Sequence, residues 1–306
     1  MIKSPRTLRR LLPLVAVGAL ALSACGSSSV TTSASDAFTV EGKGYSVTEF
    51  NELAQTLVDA GQFTAANGRV KNEDAITVLR TLVRYRAFLQ FAEERGVAVT
   101  EADREAVLKN ASTDQNFASY PKNLQDVLVD LNVADTVLQK VETPSEADLK
   151  KLYDKSPALT GALCLSHILV KTEAEAKKVL EELRDGAKFA EVAAKSSIEP
   201  GADKSGGALK DGEEDCQSLN SLQSSFDGDF LVGAVNAKAG VPTGPVKSQF
   251  GYHVILNHEF EDVKTSVAKV VSTSPGNVLL TGWMTGAKIS VNSKYGTWNG
   301  ALSTIS

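Results

Sequence analysis

Helical periodicity fills the chain as far as Pro144, and beyond it short strand-like runs alternate with helices, so no single repeating pattern can supply one core. The first part opens on a short hairpin: Phe38-Thr39-Val40 and the residues around Tyr45 flank Glu41-Gly42-Lys43-Gly44, whose glycines suit a tight turn. Ser46 and Glu49 have capping-box spacing, and Phe50, Leu53 and Leu57 recur on one face of the helix that follows. Asn72 opens a second helix with the stripe Ile76, Leu79, Leu82, Val83 and Phe91, ended by Gly96. Thr100 with Asp103 marks a third N-terminus, and from Leu124 the positions Val127, Leu128, Leu131, Ala134 and Leu138 return at helical spacing. Stripes of this kind pack against one another, or stay uncovered as a groove for unfolded chain.

After Pro144, Ser145 and Asp148 cap a short helix through Tyr153, and Ala162 to Val170 reads as a strand rich in Leu, Ile and Val. Thr172 and Glu175 form another capping box ahead of Ala176, Val179, Leu180 and Leu183; Gly186 stops that helix, and Phe189, Val192 and Ala193 begin the next. Ser196 to Ser225 is a long loop rich in Gly, Ser and acid, the type of segment that is either a binding loop or disordered. Phe226, Phe230 and Val235 suggest a further short helix, Gly240 a turn, and Phe250 to Leu256 a final strand. The order strand, helix, helix, loop, helix, strand describes a compact α/β unit of roughly 100 residues.

The N-terminal stretch is a different kind of segment. Lys3, Arg6, Arg9 and Arg10 precede a mostly apolar run from Leu11 to Leu22 and then Ser23-Ala24-Cys25, which is the make-up of a signal peptide. The apolar run is shorter than the roughly 20 residues a span requires, and Pro13 would disturb a spanning helix. Leu22-Ser23-Ala24-Cys25 resembles the bacterial lipobox, which implies a lipid on Cys25, cleavage before it, and attachment at the outer face of a cell membrane. Gly26 to Ser35 has little to bury and reads as a flexible tether. The net charge of −5 becomes about −9 once the four basic residues of the leader are removed, which makes nucleic acid an unsuitable partner.

Cys25 being assigned to the lipid, Cys164 and Cys216 remain as a pair in an oxidising space. A disulfide between them would close a loop of about 50 residues, worth roughly 4 kcal/mol in the chain-entropy model. The rivals are a Cys164 nucleophile served by His167 and a zinc site of Cys164, His167, Cys216 and His253. Residues three apart on a strand point to opposite faces, which counts against both.

His167 and His253 fall inside the two expected strands, and His258 just after the second. Alternation puts Leu165, His167 and Leu169 on one side of the first strand and Gly251, His253 and Ile255 on one side of the last. If the strands are neighbours, two imidazoles meet in an apolar centre, where each must be hydrogen-bonded.

Five pieces carry a family likeness: Ser166-His167-Ile168-Leu169-Val170, Phe189-Ala190-Glu191-Val192-Ala193, Gly206-Gly207-Ala208-Leu209, Gly244-Pro245-Val246 and Phe250-Gly251-Tyr252-His253-Val254-Ile255. Their order resembles that of parvulin-type peptidyl-prolyl isomerases, and the whole arrangement is similar to extracytoplasmic foldases of the PrsA and SurA type. The resemblance implies an α/β (α+β) parvulin-like domain over residues 161–259 and a mainly helical SurA-N/PrsA-like chaperone domain over 37–155. It implies further that 260–306 packs on the helical part, after a leader at 1–24 and a tether at 25–36. Carried across, the central histidines are His167 and His253, the pocket phenylalanine is Phe230, and Phe226 takes the place of the pocket Met. Glu199 falls where family members have Cys or Asp, and Ala208 replaces an acid usual after the paired glycines.

The activity so implied is prolyl cis-trans isomerisation with no metal and no cofactor, joined to chaperoning of unfolded exported polypeptides from a lipid anchor. The acids Asp203, Asp211, Glu213, Glu214 and Asp215 of the long loop, with no arginine cluster, argue against phosphoserine-proline substrates. Glu199 and Ala208 keep a second reading open, a non-catalytic holdase on a parvulin-like fold. A small-ligand-binding lipoprotein would need two large α/β domains around a cleft, and only one unit of that class is visible.

Overall fold

The computed structural model describes residues 35–63, 65–66 and 69–306; the leader, Cys25 and nearly all of the tether lie outside the described residues. Among those described, no helix is long and apolar enough to cross a membrane. Strands β1 (Asp36–Val40) and β2 (Lys43–Ser46) form the opening hairpin. Its loop is only Glu41-Gly42, at φ 46° and 78°, so Lys43 and Gly44 belong to the strand rather than to the turn. The Ser46–Glu49 box closes with bonds of 3.1 and 2.9 Å and starts α1 (Val47–Asp59), which buries Phe50 and Leu53. After a two-residue-per-strand ribbon, β3 (Ala65–Ala66) and β4 (Arg69–Val70), comes α2 (Asn72–Glu94). Asn72 is the first helical residue and not the cap, which is Lys71 with no side-chain bond.

Thr100 and Asp103 close both bonds of their box at the head of α3 (Glu101–Ala111), although Asp is the shorter partner. Lys140 reaches the same carboxylate at 2.6 Å, tying the head of α3 to a residue 37 positions further along the chain. The short α4 (Gln115–Ser119) leads into α5 (Lys122–Leu138). Its buried face is Leu124, Val129, Val133, Val137 and Leu138, rotated from the expected stripe; Val127, Leu128, Leu131 and Ala134 are only half-buried. Ser145 caps α6 (Glu146–Lys155).

A 3₁₀ turn (Pro157–Thr160) leads to the second unit, where the expected strand Ala162 to Val170 is broken at Cys164. Its first piece, β5 (Ala162–Leu163), and its second, β6 (Leu165–Val170), join different sheets. Then follow α7 (Glu173–Arg184) and α8 (Phe189–Ser196). The region expected as loop contains α9 (Ala202–Ser205), β7 (Gln217–Ser218, paired with β5) and α10 (Leu219–Ser225). Next are α11 (Gly228–Asn236), β8 (Thr243–Ser248) and β9 (Gly251–Asn257). The antiparallel sheet has the order β6-β9-β8, so the two histidine strands are neighbours. β8 is absent from the sequence reading, which has only a turn at Gly240 between the last helix and the final strand. Ile168, Val170 and Val254 face α7 and α8, while Leu165 and Ile255 face α10 and α11, which explains why β6 is buried along its whole length.

The chain then returns to the first core. α12 (Phe260–Thr273) and α13 (Pro275–Gly286) bury Phe260, Val267, Val271 and Leu279 in one cluster with Phe38, Phe88 and Phe91. β10 (Ile289–Val291) pairs with β1, and β11 (Trp298–Asn299) with β12 (Thr304–Ile305) ends the chain. Cys164 and Cys216 are disulfide-bonded and buried, and they sit in this same cluster. The bridge therefore anchors the loop after α9 to the layer behind the sheet. Replacing both cysteines by alanine is expected to cost roughly 2 to 5 kcal/mol, read as a lower urea midpoint with a slope that is equal or steeper, since the uncrosslinked chain unfolds further; an unchanged midpoint would contradict that role.

Candidate active site

His167 and His253 project from adjacent strands onto the face covered by α11, two residues apart in register, since His167 lies opposite Ile255 and Leu169 opposite His253. Their Nδ1 atoms are 3.1 Å apart and their rings are stacked, with centroids 5.4 Å apart. Both are almost fully buried, at 5 % and 4 % exposure. On the far side of His253, Nε2 lies 2.8 Å from Ser248 Oγ, which accepts a bond of 3.1 Å from the Phe250 N–H.

One proton arrangement satisfies every member of this chain. Ser248 Oγ accepts from Phe250 and donates its own hydrogen to His253 Nε2; His253 Nδ1–H then donates to His167 Nδ1, leaving Nε2–H of His167 directed outward. The opposite arrangement would leave the Ser248 hydrogen unused and turn a bare nitrogen lone pair toward the Glu199 carboxylate. That carboxylate is 3.9 Å from His167 Nε2, an ion-pair distance for a charged imidazole and too long for a hydrogen bond.

Burial, and then the neighbouring His253, push His167 down to about 4, and burial also lowers His253, opposed by Asp227. Both rings are thus neutral at physiological pH. Because the folded protein resists protonating His167, the stability associated with the neutral ring is intact above about 6.5 and is lost as pH falls toward about 4. That loss should approach about 3 kcal/mol, visible as an acid-side decline in urea stability that His167→Gln flattens. A wild-type curve level from pH 7 to 4 would contradict it.

The apolar part of the site is built on α11. Asp227 caps that helix through the N–H groups of Asp229 and Phe230. Phe230, on the helix, puts its ring edge-on to both imidazoles, 5.6 Å from His167 and 5.0 Å from His253. Phe226 was expected one turn earlier on the same helix; it lies in extended backbone between α10 and α11, yet its ring still stacks on Phe230 at 5.3 Å. Phe226 is half-buried and Phe230 buried, so Phe226 is the face of the wall open to solvent.

Gly207 fixes the floor. Its carbonyl accepts from the His167 N–H at 2.8 Å, its φ is 83°, and a Cβ there would lie 2.5 Å from the His167 carbonyl oxygen. Ala208 forms a bridge with Ser166 on the same strand. Two acids of the loop are engaged elsewhere: Asp215 pairs with Lys210 and Glu214 with Lys269. The third histidine is outside the pair, with His258 Nε2 2.9 Å from Ser166 Oγ on the opposite face of β6.

Sequence reasoning missed Ser248, whose strand was hidden, and also the exposed apolar side chains Phe250 (64 %) and Ile198 (46 %). Ile198 adjoins the site through its N–H bond to the Leu169 carbonyl, and Phe250 through Ser248. Their exposure as large apolar groups is a signal only the structure supplies. No group of three or more metal-ligating side chains occurs among the described residues.

Residues 167–259 match the family model described as rotamase, PPIC-type PPIASE domain. The chain is similar to the foldase protein PrsA of Clostridium kluyveri, 43 % identical over 106 residues that cover 35 % of this chain and 28 % of that protein. It is also 26 % identical over 291 residues to the foldase protein PrsA of Clostridium acetobutylicum, covering 80 % of this chain and 84 % of that one. The crystal structure of PrsA from Bacillus subtilis matches at 22 % identity over 79 % of this chain and 87 % of that one, with a TM-score of 0.30. The chain thus spans well under two thirds of the Clostridium kluyveri relative.

Proposed function

We propose, for a chain whose parvulin-type peptidyl-prolyl isomerase domain is homologous to that of the PrsA foldases, catalysis of X-Pro isomerisation in exported polypeptides, joined to chaperoning by the flanking helices. The observation that carries the reading is the buried His167–His253 pair braced against the Phe226–Phe230 wall.

The chemistry needs no nucleophile. Resonance flattens an amide with a barrier of roughly 18 to 20 kcal/mol, and the planar form carries more charge separation than the twisted one. A proline ring placed against Phe226 strips water from its amide, which removes solvation that favours the planar form. A carboxylate at Glu199 beside the carbonyl oxygen disfavours the same charge-separated form. The histidine relay acts as a positioning device: neutral rings, bonded to each other and to Ser248, hold β6 to β9 and fix the edge of Phe230.

Attachment is assigned to a lipid on Cys25, at the outer face of a bacterial membrane, with unfolded exported chains as clients. Labelled fatty acid should enter the wild-type protein and not Cys25→Ser; incorporation into the variant would contradict the anchor. The holdase alternative is favoured by two observations, the 3.9 Å gap at Glu199 and the absence of a carboxylate at Ala208. Refolding of a proline-limited client separates the two readings: an isomerase shortens the slow phase, whereas a holdase suppresses aggregation and leaves that phase unchanged.

A further inference from the structure

A crevice of about 470 Å³ opens between α2, α5, α13 and the turn joining β11 to β12. Phe88, Leu131, Leu138, Leu280 and Leu302 form its apolar part, beside an equal share of polar lining. At its edge stand Arg80 and Arg84, one turn apart on α2 and open to solvent. Like charges at this spacing repel. Other arginines have partners: Arg104 pairs with Asp130, and Arg86 lies over the Tyr45 ring. Among the described residues neither Arg80 nor Arg84 forms an ion pair, and Asp135, the one acid lining the crevice, is not bonded to them. Crevice walls and Arg80 together push Arg84 below its ordinary value, with no carboxylate opposing them.

Two uncompensated guanidiniums over an apolar floor match a carboxylate whose neighbours are large apolar side chains. The crevice is also continuous with the isomerase wall through one side chain. Leu302 lines it, packs in the cluster of Phe226 and Phe230, and would lie 3.3 Å from a Cβ on Gly228, two residues before Phe230.

We propose that this crevice is a client-binding subsite for an acidic-apolar segment of unfolded polypeptide, an Asp or Glu flanked by Leu or Phe, held beside the isomerase slot. It rests on the chaperone reading above. On a mature chain of net charge about −9, such a segment is repelled from most of the surface, so the arginine pair confers selectivity as well as affinity.

The test uses the mature full chain and a fluorescent proline-free peptide of alternating Leu and Glu, beside the same peptide with Gln for Glu. Fluorescence anisotropy should show binding about tenfold weaker for the Gln peptide, and a similar loss for the Glu peptide on Arg80→Gln/Arg84→Gln. Equal affinity for the two peptides on the wild-type protein overturns the proposal without needing a variant. So does a double variant that keeps the Glu peptide but loses binding to vesicles of anionic phospholipid, which would make the crevice a membrane contact. Aggregation of a proline-free client is followed in parallel. If the wild type suppresses it while showing no preference for the Glu peptide, this subsite alone falls; if it suppresses nothing, the chaperone reading falls with it.

Discussion

Replacing Phe230 by alanine is expected to lower stability by about 3 to 5 kcal/mol and to remove most isomerase activity. The ring is 2 % exposed and contacts both imidazoles and Phe226, so its loss leaves a cavity at the junction of α11 with the sheet. The helix itself is poorly placed to settle toward the sheet, since at Gly233 it already approaches Val246 so closely that a Cβ would lie 2.6 Å away. Phe230→Leu is the control: it keeps much of the volume and should retain more stability than activity, because the flat ring edge against the histidines is lost. Equal activity in the alanine variant, assayed at a temperature where it stays folded, would show that the wall is packing only.

Gly161→Val is expected to be the most damaging single change outside the site. Gly161 ends the 3₁₀ turn at φ 74°, and a Cβ there would lie 1.9 Å from the Val278 carbonyl oxygen. The approach is mutual: a Cβ on Gly282 of α13 would lie 2.4 Å from the Gly161 nitrogen. The backbone of α13 therefore rests directly on the segment that feeds β5 and β6, and any side chain must prise them apart. Loss of soluble protein, or a thermal midpoint lower by more than 10 °C or so, is the expected outcome for a strained site of this type. A variant with a wild-type midpoint would mean that the contact between α13 and the turn carries little of the stability.

How far the molecule was legible in its sequence depended on whether local chemistry decided each element. Capping boxes did, because Ser46–Glu49, Thr100–Asp103 and Thr172–Glu175 each satisfy their own backbone and need no tertiary partner. The meeting of His167 and His253 was also visible, since strand alternation fixes the face and only adjacency had to be supplied. The buried face of α5 was not, because a helix packed on several sides has more than one apolar stripe and tertiary contacts choose among them. Strand β8 was hidden because its register with β9 shifts between Thr243 and Val246, around Gly244-Pro245, which breaks the period-2 pattern a strand shows in sequence. With it went Ser248, the group that fixes the direction of the histidine relay. Phe226 kept its expected partner but not its expected helix, because Asp227 caps α11 one residue later.

The most direct measurement is the exchange rate of an Ala-Pro or Leu-Pro peptide, followed by two-dimensional NMR exchange spectroscopy in the presence of the mature protein and of His253→Ala. The histidine relay is expected to give cis-trans exchange well above the uncatalysed rate with the wild type, and His253→Ala, checked for folding by its thermal midpoint, should lose most of that acceleration. Aggregation of a proline-free client should be suppressed equally by both proteins. Exchange at the uncatalysed rate with the wild type, alongside intact suppression of aggregation, would contradict the isomerase reading and leave a holdase built on a parvulin fold.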